Sequence, residues 1–399
     1  VSFLRRLSTR RLLAVIGGAV AVVIGGTAIA IAATSGTSVP PKEPLPVAVH
    51  QALAAKEQTG VTARITFTNH LIDSSSIPGG GPIVSGASGR LWATNDGQAR
   101  LELQSDSGDM EILLNDRVIS VYDVKSKTLY KATLPAEKGA KAEPEHGVPS
   151  IATIKRALAH LGTGATLSGA TPTSIAGRGA YAVKVSPRHS AGLVGAAQLA
   201  WDAATGTPLS IGVYATGQSD PVLQLKATDI SYGPVDASAF DVQPPAGTKT
   251  VDLTPQLRQL AAKHQAGSTA KAAGKKAHAV SGLKAVTKAA GFDVSAPATL
   301  AGLPRKGVRL ITVDGQQGAV VGYGKGLGGI LVLEHPTGAA TAGEKDPLAA
   351  LPAVSIGGAT GHELATALGT VLTFDRAGVS YTVLGSVPPA AAEAAARGL

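Results

Sequence analysis

Between Val61 and Leu134, runs in which apolar and polar residues alternate are cut at short intervals by turn-forming clusters, and this rhythm constrains the fold more than any other feature of the chain. The runs are Val61–His70, Gly89–Asn95, Ala99–Ser105, Met110–Leu114, Val118–Asp123 and Thr128–Leu134. Between them stand Asn95-Asp96-Gly97, Ser107-Gly108-Asp109, Asn115-Asp116 and Lys125-Ser126-Lys127. A period of two puts every second side chain on one face of a sheet, and Asn, Asp and Gly tolerate the positive φ of tight hairpins. The pattern predicts consecutive antiparallel hairpins, a meander.

A second set of strands is expected at Gly179–Ser186, Gln198–Asp202, Pro208–Ala215 and Val222–Tyr232, with Asp202-Ala203-Ala204-Thr205-Gly206 as a tight turn. Two helices accompany them. Val47–Thr59 spaces Val49, Leu53 and Ala54 on one face and ends at Gly60, and Ser150–Leu161 does the same with Ile151, Ile154, Leu158 and Leu161. A charged insertion, Pro135–Pro149, precedes the second helix. A sheet this long with two helices over it must curl and leave one apolar face partly enclosed. Alternation nominates the lining of that hollow: Ile65, Phe67, Leu91, Leu101, Leu103, Ile112, Leu114, Val183, Val185, Leu199, Trp201, Ile211, Val213 and Leu225. That they instead fill a dry core stays open.

The chain has 399 residues, 44% of them hydrophobic, enough for two packed domains. It has no cysteine, which excludes disulfides, thiolate chemistry, cysteine-ligated metal and a lipid-accepting cysteine. Its formal net charge of +9 does not require nucleic acid, because much of the excess sits in an N-terminal arginine cluster and a lysine-rich linker. Arg5, Arg6, Arg10 and Arg11 precede the uncharged run Leu12–Ala33, which is about 20 residues long, the length of a membrane-spanning helix. An uncleaved anchor over 1–34 is expected, with the N-terminus cytoplasmic and the rest extracytoplasmic. Ala28-Ile29-Ala30 and Ala30-Ile31-Ala32 leave cleavage and secretion as the alternative. Val1 reads as a GTG start translated literally, which with the Ala and Gly richness hints at a high-GC bacterium.

Residues 35–46 form a short stalk, and 47–252 the strand-rich domain. The segment 253–282 is a basic linker, flexible over Gly267–Gly282, with a polyanion or anionic-lipid contact as the alternative. A small α+β domain follows over 283–399. Its strands are expected at Val308–Val313, Ala319–Tyr323, Gly329–His335, Val371–Asp375 and Val379–Leu384, and its helices at Gly361–Leu368 and Pro389–Arg397.

No motif carries catalysis. Gly324, Gly326 and Gly329 fit G-x-G-x-x-G, but Ile330-Leu331-Val332-Leu333-Glu334 reads as a strand where a dinucleotide site needs a helix, so the glycines form a hairpin loop. Lys325 completes no phosphate loop. His362-Glu363 begins like a zinc helix, yet Thr366 stands where the second histidine belongs; Thr360 is expected as an N-cap and Glu363 in the first helical turn. The histidines, His50, His70, His146, His160 and His189 among them, have no acidic neighbours at ligand or triad spacing. Asp106, Asp109 and Glu111 serve a hairpin turn. No cofactor, metal or nucleic acid is expected, and an enzyme is not.

Several segments together resemble the LolA-like superfamily of envelope proteins, especially actinobacterial members of lipoprotein-sorting or RseB-like type. They are Gly89-Arg90-Leu91-Trp92-Ala93-Thr94-Asn95-Asp96-Gly97 with Gln98–Leu103, Val121-Tyr122-Asp123 with Thr128-Leu129-Tyr130, and Gly177–Val185. The strand, D-x-x-T-G turn and strand of Leu199–Leu209 and the closing Phe240-Asp241-Val242-Gln243-Pro244-Pro245 complete the set, which covers Pro44 to Asp252. The resemblance implies a mainly β fold, an open antiparallel half-barrel covered by helices, whose concave face holds acyl chains of a lipid or lipoprotein. Its RseB-like branch implies the alternative, a regulatory module that binds an anti-sigma factor or another membrane protein. The C-terminal domain, through Gly322–Gly329 and Tyr381–Val387, looks like a module appended to such proteins.

Overall fold

A computed structural model describes residues 39–72, 81–134, 148–188, 192–255, 280–313, 316–337 and 351–399. The expected anchor Leu12–Ala33, most of the insertion Pro135–Pro149 and most of the basic linker, including all but the last residues of Gly267–Gly282, lie outside them. Among the described residues no helix is long and apolar enough to cross a membrane.

The chain enters through α1 (Leu45–Ala54), then β1 (Gly60–Asn69), the single turn α2 (Pro82–Ser85) and β2 (Ala87–Thr94). The meander continues with β3 (Ala99–Ser105), β4 (Gly108–Asn115), β5 (Val118–Asp123) and β6 (Thr128–Thr133). Helix α3 (Ile151–Leu161) opens on Ser150, whose side chain accepts from the Thr153 amide and so satisfies one of the donors a helix start leaves free. Then come β7 (Ala165–Leu167), β8 (Thr171–Ile175), β9 (Arg178–Pro187), β10 (Val194–Asp202), β11 (Pro208–Ala215) and β12 (Pro221–Tyr232). A 3-10 turn, Ala237–Phe240, leads to β13 (Lys249–Asp252).

Among the described residues these strands make one open sheet in the order β13-β6-β5-β4-β3-β2-β1-β12-β11-β10-β9-β7, with β8 also on β9. It is mainly antiparallel and curled; β13 runs parallel to β6. The mainly β half-barrel expected above is therefore present, with the long-range pair β1·β12 joining its two meanders.

The second sheet begins after α4 (Leu283–Ala290). Its strands are β14 (Thr299–Leu300), β15 (Leu303–Val313), β16 (Gln316–Tyr323), β17 (Ile330–Pro336), β18 (Ala353–Ile356), β19 (Ala359–Thr366), β20 (Gly369–Arg376) and β21 (Val379–Gly385), and α5 (Pro389–Arg397) closes the chain. Their order is β14-β15-β16-β17-β21-β20-β19-β18. One core, with Val286 of α4, Val321, Val332, Leu372 and Val383 of the sheet and Ala392, Ala395 and Ala396 of α5, fills the space between sheet and helices.

Gly361–Leu368 is not a helix. Its residues form β19, where Gly361 to Thr366 pair antiparallel with Phe374 to Gly369. The Leu and Ala that favour a helix locally are overruled by two neighbouring strands that take up the backbone groups. Thr360 accordingly pairs with Ser355 rather than capping a helix, and Glu363 lies opposite Leu372 rather than in a first turn. Gly326–Gly328 is a 3-10 turn joining antiparallel β16 and β17, the hairpin expected of the glycine run.

Candidate functional site

Register fixes what each face of the large sheet presents. Starting from Val183, directly opposed residues run Val183–Leu199–Ile211–Leu225–Phe67 across β9, β10, β11, β12 and β1. A second line runs Ile65–Gly89–Leu103–Met110, and a third Ala63–Leu91–Leu101–Ile112–Val121. Leu114 lies between Ala99 and Ile119, Val185 and Val213 flank Ala197, and Trp201 opposes Tyr181. Side chains directly opposed across a ladder share a face, so all fourteen residues nominated from alternation lie on one, the inner face.

They are not equally covered. Ile65, Leu103, Val183, Trp201 and Val213 are buried, whereas the other nine are half-buried. The difference follows the helices. Leu45, Ala48, Val49 and Ala52 of α1 and Leu158 of α3 pack on Tyr181, Val183, Leu199 and Trp201, so the β9–β10 end is roofed. His50 Nδ1 donates to the Pro149 carbonyl at 2.9 Å and ties α1 to the start of α3, which gives that histidine a structural role. Above Val61, Ala63, Ile65 and Leu103 the next cluster has Phe67, Leu91, Leu101, Met110 and Leu225 at its partly exposed edge.

Over β3 and β4 the opposite face carries Arg100, Glu102 and Glu111, whereas at β9 and β10 it carries the buried Ala180, Ala182 and Ala200 packed with Ile175. Arg100 lies over Trp92, 5.3 Å from the ring centre, and its guanidinium reaches Glu102 Oε1 at 2.5 Å, Glu111 Oε2 at 3.4 Å and the Ala239 carbonyl at 3.0 Å. Burial raises the Glu111 carboxyl above its ordinary value despite Arg100, and Glu102 adds to the rise. The segment carrying the 3-10 turn thus crosses this face on its way to β13.

The D-x-x-T-G turn is held from within. Asp202, buried, accepts from the Ala204 and Thr205 amides at 2.8 and 3.2 Å, from Arg178 Nε at 2.9 Å and from the Tyr232 hydroxyl at 2.8 Å. Burial, with Asp202 next to it, holds the Tyr232 phenol well above its usual range. Gly206 takes φ +69°, and a Cβ there would collide with the Ala52 carbonyl of α1. These groups satisfy one another, and the arrangement positions a turn under α1.

In the second sheet Glu334 is fully buried. Its Oε2 accepts from the Ser295 amide at 2.8 Å, while Oε1 has no partner among the described residues; Ser295 Oγ in turn donates to Leu399 O. Burial pushes the Glu334 carboxyl up to about 7. The sheets meet at Ser386: its Oγ accepts from the Leu193 and Val194 amides at 3.0 and 3.1 Å and donates to the Leu368 carbonyl at 2.7 Å. The Ala367 amide also donates to Leu71 O at 2.9 Å. Among the described residues no group of three or more His, Asp or Glu is placed to hold a metal ion.

Sequence reasoning missed the buried network around Asp202, whose members Arg178 and Tyr232 are far apart in the chain, and missed Ser386 altogether. Only the D-x-x-T-G spacing signalled the first, and nothing local signalled the second.

No family model matches the sequence, and no curated protein matches it. Among solved structures the chain is similar to MucB in the Pseudomonas aeruginosa MucA/MucB complex, at 16% identity and a TM-score of 0.41, over 88% of this chain and 95% of that one. It is similar to MucB in complex with MucA(peri) at 15% identity and a TM-score of 0.40, with the same coverage. A putative outer membrane lipoprotein-sorting protein domain from Vibrio parahaemolyticus matches 50% of this chain and 96% of its own length, at 10% identity and a TM-score of 0.22.

Proposed function

We propose that this chain is a non-catalytic binding protein of the bacterial envelope that takes the acyl chains of a lipid or lipoprotein on the inner face of its large sheet. The observation that carries this reading is the apolar inner face, on which nine of the fourteen nominated side chains remain half-buried. Their partly exposed aliphatic surface gains free energy when a guest removes it from water. From β10 to β4 the face crosses seven neighbouring strands, roughly 29 Å at the usual strand spacing and close to the thickness of a bilayer's hydrocarbon core. Burying about ten methylenes at ~0.8 kcal/mol each is worth roughly 8 kcal/mol before the cost of association, enough for useful affinity.

The uncharged run Leu12–Ala33 behind its arginines supports a location at the membrane with the folded part outside the cytoplasm. Mass spectrometry of organic extracts from the natively purified protein tests the reading. A lipid at near-equal molar amount is expected. Its absence overturns the proposal, and absence together with a co-purified membrane protein favours the regulatory alternative, a module that binds an anti-sigma factor.

A further inference from the structure

The roofed end of the inner face contains a polar group with nothing to bond. Trp201 is 5% exposed, held between β9 and α1, and its indole Nε1 donor finds no acceptor among the described residues. Buried donors are almost always paired, because an unmet one has given up water for nothing. The neighbouring phenol shows the usual arrangement: Tyr181, 6.2 Å away between ring centres, donates to the Pro41 carbonyl at 2.8 Å. On its own strand Trp201 follows Leu199, a half-buried member of the apolar line that continues through Ile211, Leu225 and Phe67. A single hydrogen-bond donor thus ends an apolar track.

Resting on the acyl-binding reading above, we propose that Trp201 Nε1 is the recognition point for the carbonyl oxygen of an ester- or amide-linked acyl chain, whose hydrocarbon then lies along Leu199, Ile211, Leu225 and Phe67. The acceptor is a neutral carbonyl rather than a free carboxylate for a reason also found at this end. Glu43 has a buried Oε2 with no partner among the described residues, and its charge acts on Tyr181, whose phenol is raised first by burial and then by Glu43. A second carboxylate brought here would meet that charge in a poorly solvated space. An ester or amide oxygen accepts one hydrogen bond and brings no charge.

The test compares two single-chain probes of equal length and headgroup, a palmitoyl lysophosphatidylcholine and its hexadecyl ether analogue, which differ by the carbonyl. With the full chain, the ester is expected to bind about tenfold more tightly than the ether, the scale of one hydrogen bond made to an otherwise unmet buried donor. W201F keeps an aromatic ring and removes the donor; it should erase the difference by weakening the ester alone. A second measurement leaves Trp201 in place. The indole N–H resonance of Trp201, assigned by its loss in W201F, should move downfield with the ester and stay with the ether. Equal affinity of wild type for both probes, or an N–H signal indifferent to the ester, overturns the Trp201 assignment while leaving acyl binding intact. Failure of both probes to bind the wild type overturns the acyl-binding reading itself and this assignment with it.

Discussion

Asp202 concentrates more structural consequence than any other single carboxylate in the large sheet, since one buried side chain holds a turn, a cation and a phenol. Removing its cation leaves a buried charge with only neutral donors. Arg178→Met is therefore expected to cost roughly 2 kcal/mol in urea unfolding, less than for a fully buried pair because the arginine is 35% exposed. A shift in midpoint too small to resolve would show that water, not Asp202, solvates Arg178. Glu334 makes a prediction of opposite character. Its folded pKa of about 7 lies above the ordinary 4.5, so the folded form binds the proton more tightly. The stabilisation is full below pH 4.5 and is lost as pH rises toward 7. The second sheet's melting temperature should fall across that window, and Glu334→Gln should flatten the fall and raise stability above it. Equal slopes for variant and parent would remove Glu334 from the account.

At the scale of elements, alternation and turn chemistry made most of the large sheet readable: the ends of β3, β5 and β11 coincide with the expected ones. The three-residue β7, the five-residue β8 and the edge strand β13 were not legible, because so few residues hold no countable period and tertiary pairing decides them. Helix α4, just after the lysine-rich linker, was not among the expected helices, although Val286 is wholly buried. The inner face was the most legible part of the site, since period two needs only correct strand phase. Its degree of cover was not, because that depends on where α1 and α3 dock. The distinction can be tested on β4, where Ile112 is half-buried between Leu101 and Val121. Ile112→Asp should lower affinity for the palmitoyl probe at least tenfold, roughly 1.4 kcal/mol, because a guest would have to strip water from the charge. Unchanged affinity would place the guest elsewhere.

Across the whole molecule, Ser386 is a point of contact between the two sheets, where its hydroxyl and carbonyl accept from the Leu193 and Val194 amides. Ser386→Ala deletes the hydroxyl but keeps the backbone carbonyl that also accepts from Leu193. Hydrogen exchange at the Leu193 and Val194 amides should quicken about tenfold, while the centre of β4 is unaffected. Uniform acceleration would mean that the seam supports the entire fold.

The joining of β1 to β12, Val61 beside Tyr232, also dictates an order of events in biogenesis. A polypeptide delivered N-terminus first presents the first meander with its β1 flank bare until Tyr232 has emerged, and such a flank invites pairing with other chains. Folding would then be safest when escorted, and a truncation before Pro221 should aggregate rather than yield half a barrel.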